Sequence, residues 1–224
     1  MSVLPEQFLP LTDFIARHAQ WYPDKTAVIF ENKSLTWKAF DERIRKVASH
    51  LHRAGLSKGD KVAILSPNCL EYPEIMFGAL KAGAIVVPIS TMLQRETVLL
   101  ELQDANPKAI FAGHAFLHLV EGYQPWSDGI VLAGQAKGWT RYDDVLRTGC
   151  EAEPGTVIAA GDFYNIIYSS GTTGTPKGIV HTHQARIFFA MTCGLEFRIH
   201  NEAISLISTP IYTNGTQLIY LPRF

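Results

Sequence analysis

Apolar and polar residues follow two rhythms along the first half of the chain. Short apolar runs alternate with longer stretches in which apolar residues recur every three or four positions. "TAVIF" at 26–30 predicts a strand, and "SLTW" at 34–37 follows it after a polar turn. From there Trp37, Phe40, Ile44, Val47, Leu51 and Ala54 share one helical face. Lys38, Glu42, Arg45 and Lys46 lie opposite. Thr36 suits the N-cap of this helix and Gly55 its stop. "KVAILS" at 61–66 predicts the next strand. Asn68 and Glu71 have capping-box spacing for a helix ending at "LKAG", with Pro73 in its first turn. "AIVVP" at 84–88 is continuously apolar, as a strand buried on both faces requires. A helix at 94–104 and a strand at 108–113 follow. Strand–helix alternation with short links predicts a doubly wound α/β layer with a mostly parallel sheet.

The pattern then loosens. A strand is expected at 129–133, a short helix at 140–149 and a polar loop at 150–162. After it comes the apolar strand "FYNIIYSS" (163–170), which feeds "YSSGTTGTPKG" (168–178). "GIVHTH" (178–183) is β-branched and apolar, so the loop is expected to join two strands, with a helix starting near Thr182.

Composition narrows the class. The chain has 224 residues, 47% of them apolar and 18% charged, with net charge −1. That balance suits a soluble globular protein and gives no field to attract nucleic acid or an anionic membrane. The three cysteines (Cys69, Cys150 and Cys193) are too scattered for a disulfide framework or a paired metal site. The N-terminus shows no basic-then-apolar leader, and no run reaches the 18 apolar residues of a membrane span. Even "ARIFFAMTCGLEF" is interrupted by Arg186 and Glu196. A reducing, cytoplasmic location is expected.

Several residues invite chemistry and receive plainer readings. The histidine pairs 50/52, 114/118 and 181/183 lack acidic or cysteine partners at ligand spacing, so no protein-bound metal is expected. His50 and His52 are expected on the solvated side of the 37–54 helix, and His183 at a helix start. No base or cationic partner near Cys193 along the sequence marks it as a nucleophile candidate. Phe188 and Phe189 could line an apolar ligand pocket, but core packing is the simpler reading. Glu101 and Asp104 are expected on an exposed helix face.

The loop resists a plain reading. A Ser/Thr/Gly run alone is a linker composition. This one leaves an apolar strand, where ligands bind in open α/β sheets. Gly171, Gly174 and Gly178 allow positive φ and close approach, so that backbone N–H groups can form an anion nest. Pro176 stiffens the chain before Lys177. Hydroxyls of Ser169, Ser170, Thr172, Thr173 and Thr175 can donate to phosphate oxygens, and Lys177 adds a compact positive charge. Each hydrogen bond to a charged oxygen is worth about 1.5–3 kcal/mol. A Walker A loop needs glycine immediately before its lysine, and here proline stands there.

"IIYSSGTTGTPKG" (166–178) resembles the phosphate-loop signature of the adenylate-forming acyl-CoA synthetases and their relatives, including peptide-synthetase adenylation domains and luciferases. "SLTWKAF" (34–40), "GDKVAILSPNCLEY" (59–72) and "LKAGAIVVPIS" (80–90) are similar to other blocks of that family. The resemblance implies a layered α/β sandwich with mostly parallel sheets. It implies that a carboxylic acid is joined to AMP, using ATP and Mg²⁺, and that the acyl group then passes to coenzyme A. In that reading Ser169, Ser170, Gly171, Thr172, Thr173, Gly174, Thr175 and Lys177 hold the phosphates. "STPIYTNGTQL" (208–218) resembles a block whose histidine borders the acyl tunnel. Here Tyr212 and Thr213 occupy the gate positions, and threonine cannot take over a histidine's charge.

Other family parts are absent from these residues. Beyond Gly178 the acidic residues are Glu196 and Glu202, and there is no aspartate or lysine. The glutamate that binds metal, the aspartate that binds ribose and the catalytic lysine are therefore not in the chain. An incomplete N-terminal adenylation domain is expected. A first subdomain would span about 1–160, and the phosphate loop and the start of a second would span about 161–224. Such a piece is expected to be inactive alone. Two other readings stay open, a truncated non-catalytic nucleotide or phosphate binder and a carrier-protein-loading adenylation domain.

Overall fold

The computed structural model describes residues 8–124, 126–169, 176–200 and 202–224. Helix α1 (Leu11–Trp21) precedes a small antiparallel hairpin of β1 (Thr26–Phe30) and β2 (Lys33–Thr36). Helix α2 (Trp37–Arg53) starts where expected, with the Thr36 hydroxyl accepting the Ala39 N–H at 3.2 Å. It stops at Gly55, whose φ of +84° strains any residue with a Cβ. Its apolar stripe is buried from Trp37 to Leu51. Burying each large side chain of that stripe contributes about 1.5–3 kcal/mol.

The remaining elements are β3 (Lys61–Leu65), α3 (Glu71–Lys81), β4 (Ile85–Ile89), α4 (Arg95–Ala105), β5 (Ala109–Gly113), β6 (Asp128–Leu132), β7 (Thr140–Arg141), α5 (Tyr142–Thr148), β8 (Phe163–Ser169), β9 (Lys177–Thr182), α6 (His183–Glu196) and α7 (Gln217–Tyr220). Among the described residues, β3 to β9 form one seven-stranded sheet in the order β7-β6-β5-β3-β4-β8-β9. All its pairings are parallel except β8 with β9.

The strands feed both faces by simple alternation. Val62, Ile64, Val86 and Phe111 join a core with α1, α2, α3 and α5. Ala63, Leu65, Val87, Ile89 and Ile110 join a second core under α4. All five residues of β4 are buried, as its unbroken apolar run requires. The expected doubly wound, mostly parallel layer is therefore present. No helix among the described residues is long and apolar enough to cross a membrane.

Local readings need correction at several points. Asn68 does not cap α3, whose N-cap is Leu70 without a side-chain bond. Instead its Nδ2 donates to the Thr209 carbonyl (3.0 Å), and its Oδ1 accepts the Ile211 N–H (2.8 Å). His50 and His52 are half-buried rather than solvated. His50 Nε2 lies 2.8 Å from Asp128 Oδ2, and His52 Nε2 lies 3.0 Å from the Ala82 carbonyl. Glu101 is buried, whereas Asp104 is exposed as expected and accepts a bond from Tyr168. Phe188 is 72% exposed, which excludes core packing for it in this chain. Phe189 is half-buried beneath the Arg186 guanidinium.

Candidate functional site: the β8–β9 hairpin and its support

The loop singled out in the sequence connects β8 to β9. Strand β8 pairs parallel to β4 through Asn165 and antiparallel to β9 from Phe163 to Ser169. Its apolar residues fix its place, with Tyr164 facing one core and Ile166 and Tyr168 the other. The hairpin therefore opens at the edge of the sheet where the parallel strands end, the edge used for ligands in open α/β folds.

Ser169 and Lys177 face each other as a cross-strand pair, and both side chains are exposed. They bring a hydroxyl and an ammonium group together at the loop's two feet. Ser170, Gly171, Thr172, Thr173, Gly174 and Thr175 lie outside the described residues.

The feet are braced from below. Tyr168 stands opposite Gly178, and its hydroxyl donates to Asp104 Oδ2 on α4 at 2.6 Å. Burial, the Asp104 hydrogen bond and its charge push the Tyr168 hydroxyl well above its usual pKa, so it remains a donor. Gly178 is extended strand, not a positive-φ turn, which corrects the expectation of a ligand-approach glycine. A Cβ there would come within 2.8 Å of Ile166 Cγ2 and 3.3 Å of Tyr168 Cε1. Its smallness serves side-chain packing under the loop.

At the hairpin's base lies a polar cluster that sequence reasoning missed. Arg186, on α6, is 2% exposed. Its Nη1 donates to Asn214 Oδ1 at 2.9 Å, and its Nη2 lies 3.2 Å from both Asn165 Oδ1 and His181 Nδ1. No carboxylate among the described residues pairs with it, and its Nε has no hydrogen-bond partner there. Burial and the neighbouring guanidinium lower the His181 pKa, and its Nδ1 also lies 3.1 Å from Asn165 Oδ1. The next histidine, His183, opens α6 as expected, under the Thr182 cap, but it is buried edge-on to Tyr164 at 5.1 Å. Burial pushes its pKa down to about 4. Arg186 breaking an apolar helix and Asn165 breaking an apolar strand were the available signals.

The proposed gate residues are occupied structurally. Tyr212 is buried in the first core. The Thr213 hydroxyl donates to the Pro210 carbonyl at 3.0 Å and lies 2.8 Å from Thr216 Oγ1. Through Asn68, which stands just beyond β3, this segment is tied to the same strand-end edge that carries the hairpin's feet. Among the described residues no group of three or more His, Cys, Asp and Glu side chains is gathered as a metal site.

A doubly wound layer with a hairpin at the edge where open α/β folds bind ligands sets the α/β class of this domain. The sequence profile of the AMP-binding enzyme family matches residues 15–222, and the chain belongs to that family. The chain is 30% identical over 205 residues to the long-chain-fatty-acid–CoA ligase FadD13 of Mycobacterium tuberculosis, covering 85% of this chain and 40% of the relative. It is 32% identical over 188 residues to the fatty acid–[acyl-carrier-protein] ligase ScoC of Streptomyces coeruleorubidus, covering 83% and 35%. Its fold matches the crystal structure of the anthranilate CoA ligase AuaEII, in complex with anthranoyl-AMP, with a TM-score of 0.78 and 26% identity, over 86% of this chain and 37% of that one. The chain thus spans about two-fifths or less of the length of these relatives.

Proposed function

We propose that this chain is the phosphate-holding part of a ligase that activates a carboxylic acid with ATP and passes the acyl group to coenzyme A. The observation that carries this reading is the loop signature at 166–178, mounted between two paired strands with Ser169 and Lys177 at its feet. In the first step the carboxylate attacks the α-phosphate and pyrophosphate leaves. Little covalent work falls to the protein in such a transfer, so positioning and charge stabilisation dominate. Lys177, with the hydroxyls of Ser169, Ser170, Thr172, Thr173 and Thr175 and the backbone around Gly171 and Gly174, would hold the β- and γ-phosphates and steady the departing pyrophosphate. Mg²⁺ would arrive with the nucleotide and offset part of its charge.

Tyr212 and Thr213 would shape the acid-binding side through the loop they brace, not as charged groups. The first subdomain at about 1–160 and the beginning of a second at about 161–224 remain the proposed organisation, with cytoplasmic location. ScoC carries an acyl-carrier-protein ligase name, so a carrier-protein thiol is the second acceptor to test.

The test is carboxylate-dependent exchange of labelled pyrophosphate into ATP by the full-length protein that contains this chain. Exchange that needs both an acid and Mg²⁺ is expected, followed by acyl transfer to coenzyme A. ATP binding with no exchange for any acid would replace the ligase reading with a non-catalytic binder.

A further inference from the structure

Arg186 is an expensive residue to place where it stands. A guanidinium carried out of water loses hydration that neutral partners replace only in part, so a buried cation without a carboxylate is a poor way to stabilise a fold. Its benefit is direction. The planar fork points donors along fixed lines, and here those lines reach two separate segments. Nη1 meets Asn214, in the segment that resembles the acyl-gate block. Nη2 meets Asn165 and His181, which face each other across β8 and β9 at the base of the phosphate hairpin. The Phe189 ring lies 5.8 Å from the guanidinium carbon and restricts it on another side.

We propose that Arg186 is a positioning residue that fixes the 210–216 segment to the base of the phosphate hairpin, and so sets where the acid stands relative to the phosphates. The second half of this statement rests on the ligase reading above. Arg186 touches no reacting atom in this account. It acts through Asn214 on one side and through Asn165 and His181 on the other. A lysine would keep the charge without the fork and could not serve both directions. Asn68 ties the segment at Thr209 and Ile211 and Tyr212 packs in the first core, while Arg186 Nη1 holds the Asn214 side chain.

Amide hydrogen exchange on Arg186→Met, Arg186→Lys and Asn214→Ala tests the first half without any activity. The N–H groups of Thr213 and Gln217, bonded to Pro210 and Asn214 carbonyls, report on the segment. All three variants are expected to exchange there about tenfold faster or more, as loss of a charge-assisted bond allows. Amides of β3 to β6 should keep their wild-type rates, and Tm should stay within about 3 °C. Exchange at 211–217 within about twofold of wild type, or an equal rise across the whole sheet, overturns the proposal. Should Arg186→Met fail to fold, Asn214→Ala, which removes a single acceptor, gives the same reading.

Pyrophosphate exchange by the full-length protein tests the second half. Arg186→Met should raise KM for the acid about tenfold while KM for ATP moves less than about twofold. An unchanged acid KM beside a loosened segment rejects that half alone. A wild-type protein with no carboxylate-dependent exchange rejects the ligase reading, and the amide rates still decide the positioning role.

Discussion

Residues 61–132 and residues 163–220 both bury polar side chains, but they partner the charged ones differently. In the first region the strands β3 to β6 are apolar and almost wholly enclosed, and alternation sends their side chains to two cores. In the second, Asn165, His183, Arg186 and Gln217 are buried, while Phe188, Met191, Leu195, Ile204 and Leu206 are exposed. The buried Glu74 and Lys81 of the first region lie against Arg43 and Glu153, both at 2.8 Å, whereas the buried Arg186 of the second has no carboxylate partner among the described residues. Buried polar groups are costly unless they are paired or fix geometry, and Arg186 meets Asn165 on the strand that leads into the loop signature.

The largest expected effect lies in the first region. Phe77 is fully buried and packs against Phe40 at 6.2 Å and Phe224 at 4.7 Å. Phe77→Ala should cost about 3–5 kcal/mol, measured by chemical denaturation. A loss below about 1 kcal/mol would mean that this core is not the stabilising centre.

Next comes a pH test at the rim between the two regions. Burial lifts the Glu101 carboxyl from 4.5 to about 7. The folded state therefore holds a proton that the unfolded state has released, and stability should fall as pH rises from about 4.5 to about 7. Glu101→Gln should remove that slope, raising Tm at pH 8 and leaving it nearly unchanged near pH 4. An equal Tm change at both would reject the burial. His183 has the opposite sign, because its lowered pKa takes stability away as pH falls from 6.5 towards 4.

The smallest effect is expected on the exposed apolar face. Phe188→Ser should change the stability of this chain by less than about 0.5 kcal/mol, since the side chain has little to lose. A loss several times larger would show that the helix face is covered in solution.

Legibility followed sequence distance. The α2 stripe, its Thr36 cap, its Gly55 stop and the β4 run were readable because each depends on neighbours along the chain. The loop's place between two strands was readable for the same reason, since the apolar runs on either side of it are contiguous. Asn68 was misread because its real partners, Thr209 and Ile211, lie far along the chain. Glu101 and Asp104 have the spacing of a solvated face; Asp104 is exposed, but Glu101 is buried, and only the fold brings Tyr168 to that part of α4. Gly178 was read for its backbone freedom, whereas Ile166 and Tyr168 decide its size. Arg186 was visible as an interruption of an apolar helix, but its partners Asn165 and Asn214 come together only through the sheet and the later turn.

The central claim is that the β8–β9 loop holds the phosphates of ATP. Its most direct test is the pyrophosphate and MgATP affinity of the protein with Thr173→Ala and with Lys177→Ala. Each substitution should weaken binding by about tenfold to a hundredfold, the worth of one donor to a charged oxygen. Affinities unchanged in both variants of a protein that binds ATP would contradict it.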